Sequence, residues 1–270
     1  MDGMKVTFIT VAYKTPGLLR QLFKGIERAK FSFPHEYLLI NNAPGDGTSE
    51  SIQNRFPWVT VTDAPHNLGF GAGNNLAARN ARGEYLMMLN PDITVFPGEM
   101  ERLLAFADVH PETGIVGPKL LNPDQSIQHW FYRFPTPAIP LYRRTPIGRL
   151  PPAKRALERY LMHDVSADES HEVDGFFGSA MLVRRAAFED IGGFDERFFM
   201  YFEDIDFCRR AWGKGWRIRY TPAASFVHYH QRESLVRNPL RVVRNPLVRA
   251  HIKSGVQYFW KYRGQPHPRA

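Results

Sequence analysis

Short apolar runs recur along the chain, with amphipathic stretches between them. Val6 to Tyr13, VTFITVAY, has the length and β-branched content of a buried strand. Thr15-Pro16 follows as a helix N-cap and first helical position, and Leu18, Leu19, Leu22, Phe23 and Ile26 repeat at helical spacing behind it. Tyr37 to Ile40 predicts a second strand, Trp58 to Thr62 an alternating edge strand, and Tyr85 to Leu89 a central one. Leu76 to Ala81 and Pro97 to His110 read as helices, and Gly114 to Leu121 as another strand. This alternation predicts an α/β fold, a Rossmann-like and mainly parallel sheet flanked by helices.

The alternation breaks after Asn122. Pro135 to Pro152 is rich in proline and arginine, has no clear period and reads as a loop. Val173 to Arg185 predicts a buried strand entered through glycines, and Ala186 to Ile191 a short helix. Glu203 opens a helix that Gly213 ends, with Phe202, Ile205, Cys208 or Arg209, and Trp212 on its inward side. Arg217 to Tyr220 and Ala224 to His230 read as two strands. The sequence VRNPL occurs twice, from Val236 and from Val243, too few copies for a solenoid. An amphipathic helix from Val248 to Tyr262 ends the pattern, with Ile252, Val256, Phe259 and Trp260 as candidates for its apolar side.

Several polar residues fall where strands and helices end. Pro91 stops the central strand because it has no N–H to donate, which holds Asp92 at the sheet edge where such folds bind ligands. One carboxylate there suits a hard divalent cation shared with a diphosphate, or it caps the turn before Ile93. The loop from Asn41 to Gly47 offers short polar side chains to a base or ribose, or is ordinary turn chemistry. Asn67 to Asn75 is glycine-rich without the GxGxxG spacing and following acid of a dinucleotide site. Glu203 and Asp204 follow the aromatic run Phe198 to Phe202, a setting that raises a carboxylate's pKa and suits it to proton abstraction; a helix cap is the other reading. Asp206 pairs at helical spacing with Arg209 or Arg210 and takes a structural role. His228 and His230 face one way on a strand, where they ligate metal or bind phosphate, or, for His230, fill a buried position.

Charge narrows the partners. The net charge of +8 is uneven: from Phe207 onward there are 14 lysines and arginines against one acid, Glu233. Such a segment faces phosphates of nucleic acid, anionic lipid or substrate, or is a solvated surface. No zinc finger or RNP motif accompanies it, which argues against nucleic acid. No run approaches the roughly 18 apolar residues of a membrane span. Met1 to Lys5 does not read as a signal peptide, and a lone cysteine, Cys208, leaves no internal disulfide framework; a cytoplasmic protein is expected.

Taken in order, VTFITVAY, LLINNAPGDGT, NLGFGAGNN, LMMLNPD, VDGFFGSAMLVRRAAFEDIGGFDERFF, YFEDIDFCRRAWGKGW and FVHYHQRES resemble the inverting family 2 glycosyltransferases of the GT-A fold. Among them the chain is most similar to bacterial rhamnosyltransferase-type enzymes of O-antigen and cell-envelope polysaccharide assembly. The resemblance implies a GT-A domain over residues 1–230, with a nucleotide-sugar half to about residue 122 and an acceptor half beyond it. A basic helical segment, 231–270, then packs on or extends the acceptor side.

The same likeness implies roles. Thr10, Ala12 and Tyr13 cradle the nucleotide. Asn41 and Asn42 stand at the base-contacting pair, with an amide where the family usually carries Asp first. Asn90-Pro91-Asp92 matches the DxD-type motif, so Asp92 with His228 holds Mg2+ or Mn2+. Asp204, beside Glu203, matches the catalytic base. Gly69, Asn74 and the Asp174 to Ser179 stretch line the donor and acceptor pockets. Arg232 steadies the departing diphosphate or holds a lipid diphosphate. The implied donor is dTDP-L-rhamnose, with UDP-hexoses as the alternative; the implied acceptor is lipid-diphosphate-linked or an oligosaccharide, met at the inner face of the membrane. Two rivals stand beside this reading. One is a non-catalytic basic module for polyanions or membranes; the other is a nucleotidyltransferase, for which no P-loop or basic phosphate loop is present near the N-terminus.

Overall fold

A computed structural model describes residues 3–229 and 245–269. The first half alternates as the apolar pattern requires. Strand β1 (Val6–Ala12) leads to helix α1 (Pro16–Ala29), then β2 (His35–Asn41), α2 (Thr48–Arg55), β3 (Val59–Asp63), α3 (Phe70–Ala78) and β4 (Tyr85–Leu89). Helix α1 starts at Pro16, and Leu19, Leu22, Phe23 and Ile26 are buried as its spacing predicts. Helix α3 begins six residues before the expected Leu76 and takes in the glycine-rich stretch. Gly73 makes that possible: a Cβ there would lie 2.7 Å from Val11, so only glycine lets the helix close on β1.

The second half departs from the parallel pattern. It contains β5 (Ile93–Thr94), α4 (Glu99–Asp108), β6 (Thr113–Leu121), β7 (Ile127–Gln128), β8 (Phe131–Tyr132), α5 (Ala138–Arg144), a 3-10 turn (Pro146–Arg149) and α6 (Pro151–Tyr160). The stretch expected as a loop is therefore mostly helical. Its prolines sit at element starts, Pro146 opening the turn and Pro151 opening α6, where a missing N–H costs nothing. After a short strand β9 (His171–Glu172), β10 (Gly175–Phe176) and β11 (Ala180–Arg184) replace the single strand expected from Val173. Helices α7 (Arg185–Ile191) and α8 (Glu203–Gly213), strand β12 (Arg217–His228) and helix α9 (Pro246–Lys261) complete the chain. The two strands expected after Arg217 are one, with a register shift between Thr221 and Ser225, where Pro222 has no N–H for the ladder.

The main sheet is mixed, in the order β3-β2-β1-β4-β11-β6-β12-β5. Strands β3, β2, β1 and β4 run parallel, and β12 runs parallel to β6. Strand β11 lies antiparallel between β4 and β6. That reversal positions the site. The carboxyl ends of β4, β6 and β12 reach one edge, and the start of β11 meets them there, Ala180 opposite Leu89. The chain order reverses at β1, so the crevice for a ligand lies at this edge. Buried aromatics on both sides of the sheet, such as Phe8, Tyr37, Phe176 and Phe207, fill the core. No described helix is long and apolar enough to cross a membrane.

Candidate active site

The turn after β4 carries Asp92, and register brings His228 to it. His228 pairs with Ile93 across β12 and β5, and its Nε2 lies 3.3 Å from Asp92 Oδ2. Asp92 Oδ1 is buried and has no hydrogen-bond partner among the described residues. The imidazole is held from behind. His228 Nδ1 is 2.5 Å from Gln128 Oε1, the Gln128 amide donates to Asn122 Oδ1 at 2.8 Å, and the Asn122 amide donates to Ser126 Oγ at 2.9 Å. Ser126 Oγ in turn donates to Asp124 Oδ1 at 2.6 Å. Each donor is thus committed toward Asp124, so Gln128 presents its carbonyl and Nδ1 carries the proton. Nε2 faces the Asp92 carboxylate, an arrangement satisfied by a proton on the ring or by a cation between the two groups.

A divalent cation fits that arrangement. Cis ligands of an octahedral ion at about 2.1 Å stand about 3 Å apart, close to the spacing of His228 and Asp92. Among the described residues no cluster of three or more His, Cys, Asp or Glu side chains gathers. Two protein ligands supplemented by substrate phosphate oxygens are what Mg2+ or Mn2+ commonly accepts.

The second carboxylate centre sits at the start of α8. Tyr201 and Phe202 both have positive φ, 67° and 66°, an unusual conformation for bulky residues that turns the chain sharply into the helix. The strain is held by α9: Phe202 packs against Tyr258, and a Cβ on Gly255 would lie 3.3 Å from its ring. Glu203 is only 5% exposed, and its Oε2 has no described partner. Burial, and then the charge of Asp204, push Glu203 well above the ordinary carboxylate range. Asp204 keeps part of its surface open. Its Oδ2 accepts from Gly178 N at 3.0 Å and its Oδ1 from Ile205 N at 2.8 Å. Burial nevertheless pushes it up to about 6.

One dipeptide ties the two centres together. Gly178 donates to Asp204, and Ser179 O accepts from Asn90 N at 2.9 Å, two residues before Asp92. The antiparallel direction of β11 makes this possible. Arg143 of α5 reaches the same region. Its guanidinium lies 5.4 Å from the Phe177 ring centroid and 5.9 Å from that of Tyr160, and its charge acts on Asp204.

Other expected donor residues do structural work. Thr10 Oγ1 donates to Leu89 O and meets the Tyr37 hydroxyl, so it ties β1 to its neighbours. Ala12 is buried, and its carbonyl accepts from Asn42 N at 2.8 Å. The Asn42 amide donates to Gly69 O. Asn74 donates to Phe70 O one helical turn back. Gly69 has φ +83°, and a Cβ there would lie 1.9 Å from Phe199 O; the glycine admits protein backbone. Asn41 is saturated: its amide faces Asp63, Ser49, Asp46 and Ala43 O, and its Oδ1 accepts from Ala43 N. Tyr13 and Asn90 keep exposed surface at the edge. Arg232 and His230 lie outside the described residues. Asp206, expected to be structural, is fully buried and binds Arg210 Nε, Lys261 Nζ and the Tyr262 hydroxyl.

Sequence reading missed Gln128, Arg143 and Asp63. Gln128 lies in a two-residue strand, Arg143 in a segment without periodicity, and Asp63 at the end of an edge strand. Only the last had a signal: it follows a strand at the ligand-binding edge.

A sheet of this order, with one carboxylate centre after its fourth strand and another at a helix start, defines a glycosyltransferase of the GT-A architecture. The chain belongs to glycosyl transferase family 2, whose profile matches residues 7–192; a second profile, glycosyl transferase family group 2, matches residues 152–251. An N-acetylglucosaminyl-diphospho-decaprenol L-rhamnosyltransferase of Mycobacterium tuberculosis (strain ATCC 25618 / H37Rv) is 32% identical over 217 residues, 76% of this chain and 70% of that protein. Rhamnosyltransferase WbbL of Escherichia coli (strain K12) is 27% identical over 202 residues, 72% of this chain and 71% of its own. The crystal structure of GalNAc-T7 with UDP, GalNAc and Mn2+ superposes at TM-score 0.67 and 14% identity, over 98% of this chain and 49% of that one. The mannosyltransferase PcManGT from Pyrobaculum calidifontis, in complex with GDP-Man and Mn2+, gives 0.62 at 17% identity, over 98% and 66%.

Proposed function

We propose that the protein is an inverting sugar transferase that moves L-rhamnose from dTDP-L-rhamnose to a sugar hydroxyl of a lipid-diphosphate-linked acceptor. The observation that carries this reading is the Gly178-Ser179 bridge, which sets a proton acceptor and a cation-ready pair on either side of one dipeptide. The rhamnosyl group is carried over from the mycobacterial and WbbL relatives, and the lipid-diphosphate acceptor from the mycobacterial one. The corresponding location is the cytoplasmic face of a membrane.

In this mechanism Asp204 takes the proton from the acceptor hydroxyl. The freed oxygen attacks the anomeric carbon from the face opposite the diphosphate. A new carbon–oxygen bond forms as the bond to the diphosphate breaks, and the electron pair leaves on the diphosphate, so configuration inverts. Asp92 and His228 would hold Mg2+ or Mn2+, which offsets the charge on the departing diphosphate. Arg143 adds a fixed cation on the Asp204 side. Asp63 supplies the base-facing carboxylate that Asn41 lacks, since Asn41 Nδ2 sits 2.8 Å from its Oδ1 and the side chain is exposed at the sheet edge.

The test is incubation with a polyprenyl-diphosphate-linked GlcNAc acceptor and either dTDP-L-rhamnose or UDP-hexoses, with the product's anomeric configuration read by NMR. Rhamnosyl transfer with inversion, lost by a factor of about 10²–10⁴ in Asp204→Asn, is expected. Transfer from UDP-hexose alone would replace rhamnose as the donor sugar. Retained configuration, or release of inorganic diphosphate, would overturn the mechanism.

A further inference from the structure

Helix α9 presents an apolar face to the outside. Val248, Ser254, Gly255 and Tyr258 are buried against the molecule, with Phe202 among their contacts. On the opposite side Ile252, Val256 and Trp260 are 55, 65 and 69% exposed. Steps of four residues place them in one stripe. Of the four candidates for the apolar side, Phe259 packs against Phe202, while Ile252, Val256 and Trp260 face outward.

The charges around the stripe have one sign. Arg249 and Lys253 share its side of the helix. Arg263, just past the helix end, lies over Trp260 with its guanidinium 3.7 Å from the ring centroid. No acidic residue follows Glu233 in the sequence, and among the described residues no carboxylate pairs with Arg249, Lys253 or Arg263. A core-facing stripe would be buried, and an ordinary solvent face would mix both signs. A helix lying in a bilayer interface has this pattern: large apolar side chains enter the acyl boundary while cations meet anionic headgroups. The sequence just before the helix is basic as well, with Arg232, Arg237, Arg241 and Arg244 against Glu233 alone.

We propose that the Ile252, Val256 and Trp260 face of α9 docks the protein on an anionic lipid surface. The buried face of the same helix holds the turn that aims Asp204, and Ser254 Oγ donates to Met200 O at 2.9 Å. Docking would therefore bring the carboxylate to the plane in which a lipid-linked acceptor lies. That consequence rests on the proposed function; the docking itself rests on the helix.

Co-flotation of the full chain with vesicles tests it. Phosphatidylcholine vesicles containing phosphatidylglycerol should carry the protein, pure phosphatidylcholine should carry much less, and salt should release it. Ile252→Ser/Val256→Ser/Trp260→Ser should float at least tenfold less, with an unchanged circular dichroism spectrum. Arg249→Glu/Lys253→Glu should lose the preference for anionic lipid. Rhamnosyl transfer to a short water-soluble acceptor should be the same in both variants. Flotation of the triple variant at the wild-type level would overturn the proposal, as would self-association through this face without vesicle binding. Loss of flotation only on changing Leu141, Ile147 and Leu150, exposed apolar residues in and just after α5, would also overturn it. A chain that floats but transfers no sugar would sink the enzymatic reading and leave the docking intact.

Discussion

Gln128 Oε1 lies 2.5 Å from His228 Nδ1, on the side of the ring opposite Asp92. The contact holds the imidazole from behind and fixes its orientation toward Asp92. Outer partners of this kind commonly change metal affinity 10–100-fold. Gln128→Leu should weaken Mn2+ binding by a factor of that order, measured by Mn2+ electron paramagnetic resonance on the unliganded protein. Affinity equal to wild type would show that the ring orients without Gln128.

Asp204 sets a pH dependence. Its folded pKa is raised to about 6, so the ionised, proton-accepting form accumulates only above that. The logarithm of kcat/KM should rise with pH and level off above about 6. Stability runs the other way. The folded state binds more protons than the unfolded one between the unfolded carboxyl pKa of about 4 and the folded value, so stability falls as pH rises through that window. Asp204→Asn should therefore stabilise the protein at pH 8, on the order of 1–3 kcal/mol, and much less at pH 4. Calorimetry at both pH values checks this; an equal gain at both would remove the titration argument.

Gly69 and Gly45 both have positive φ but differ in surroundings. A Cβ on Gly69 would meet Phe199 O at 1.9 Å, while nothing lies within 4 Å of one on Gly45. Gly45→Ala should cost about 1 kcal/mol. Gly69→Ala should cost about 3 kcal/mol or more, because the Phe199 backbone must move as well. Urea denaturation of the pair measures the difference.

Gly255 clamps the strained turn at Phe202. A Cβ at this position already stands 3.3 Å from the Phe202 ring, so Gly255→Leu pushes the ring away. Expected is a drop in kcat of about tenfold or more, since a misplacement on the ångström scale is enough, with donor affinity little changed. Equal losses in kcat and donor binding would mean a general unfolding of the domain.

Asp63 gives a prediction on nucleotide recognition. Asp63→Ala should weaken dTDP binding by roughly tenfold, the scale of one lost charge-assisted hydrogen bond. Asn41→Ala should instead lower the melting temperature, because that side chain ties the loop together. Calorimetric titration with dTDP and a melting curve separate the two effects.

The sequence by itself determined β1 to β4 and β6 to within about two residues at each end, and it marked Asp92 and Glu203-Asp204 as the carboxylates at element ends. Periodicity and punctuation are local: Pro91 must end β4, and Glu203 to Gly213 must start and stop where its caps stand. Motif order along the chain carried the family. The tertiary structure decided what depends on partners far apart in sequence. Whether Asn41 is free for a ligand depends on Asp63, and whether His228 presents Nε2 depends on Gln128 and Asn122, a hundred residues and more away. The antiparallel insertion of β11 cannot be read from a buried apolar run, because such a run pairs equally well in either direction. Helix α9 makes the same point. Its apolar residues lie on a broad arc, and only packing against Phe202 chose Tyr258 for the inside and left Ile252, Val256 and Trp260 out.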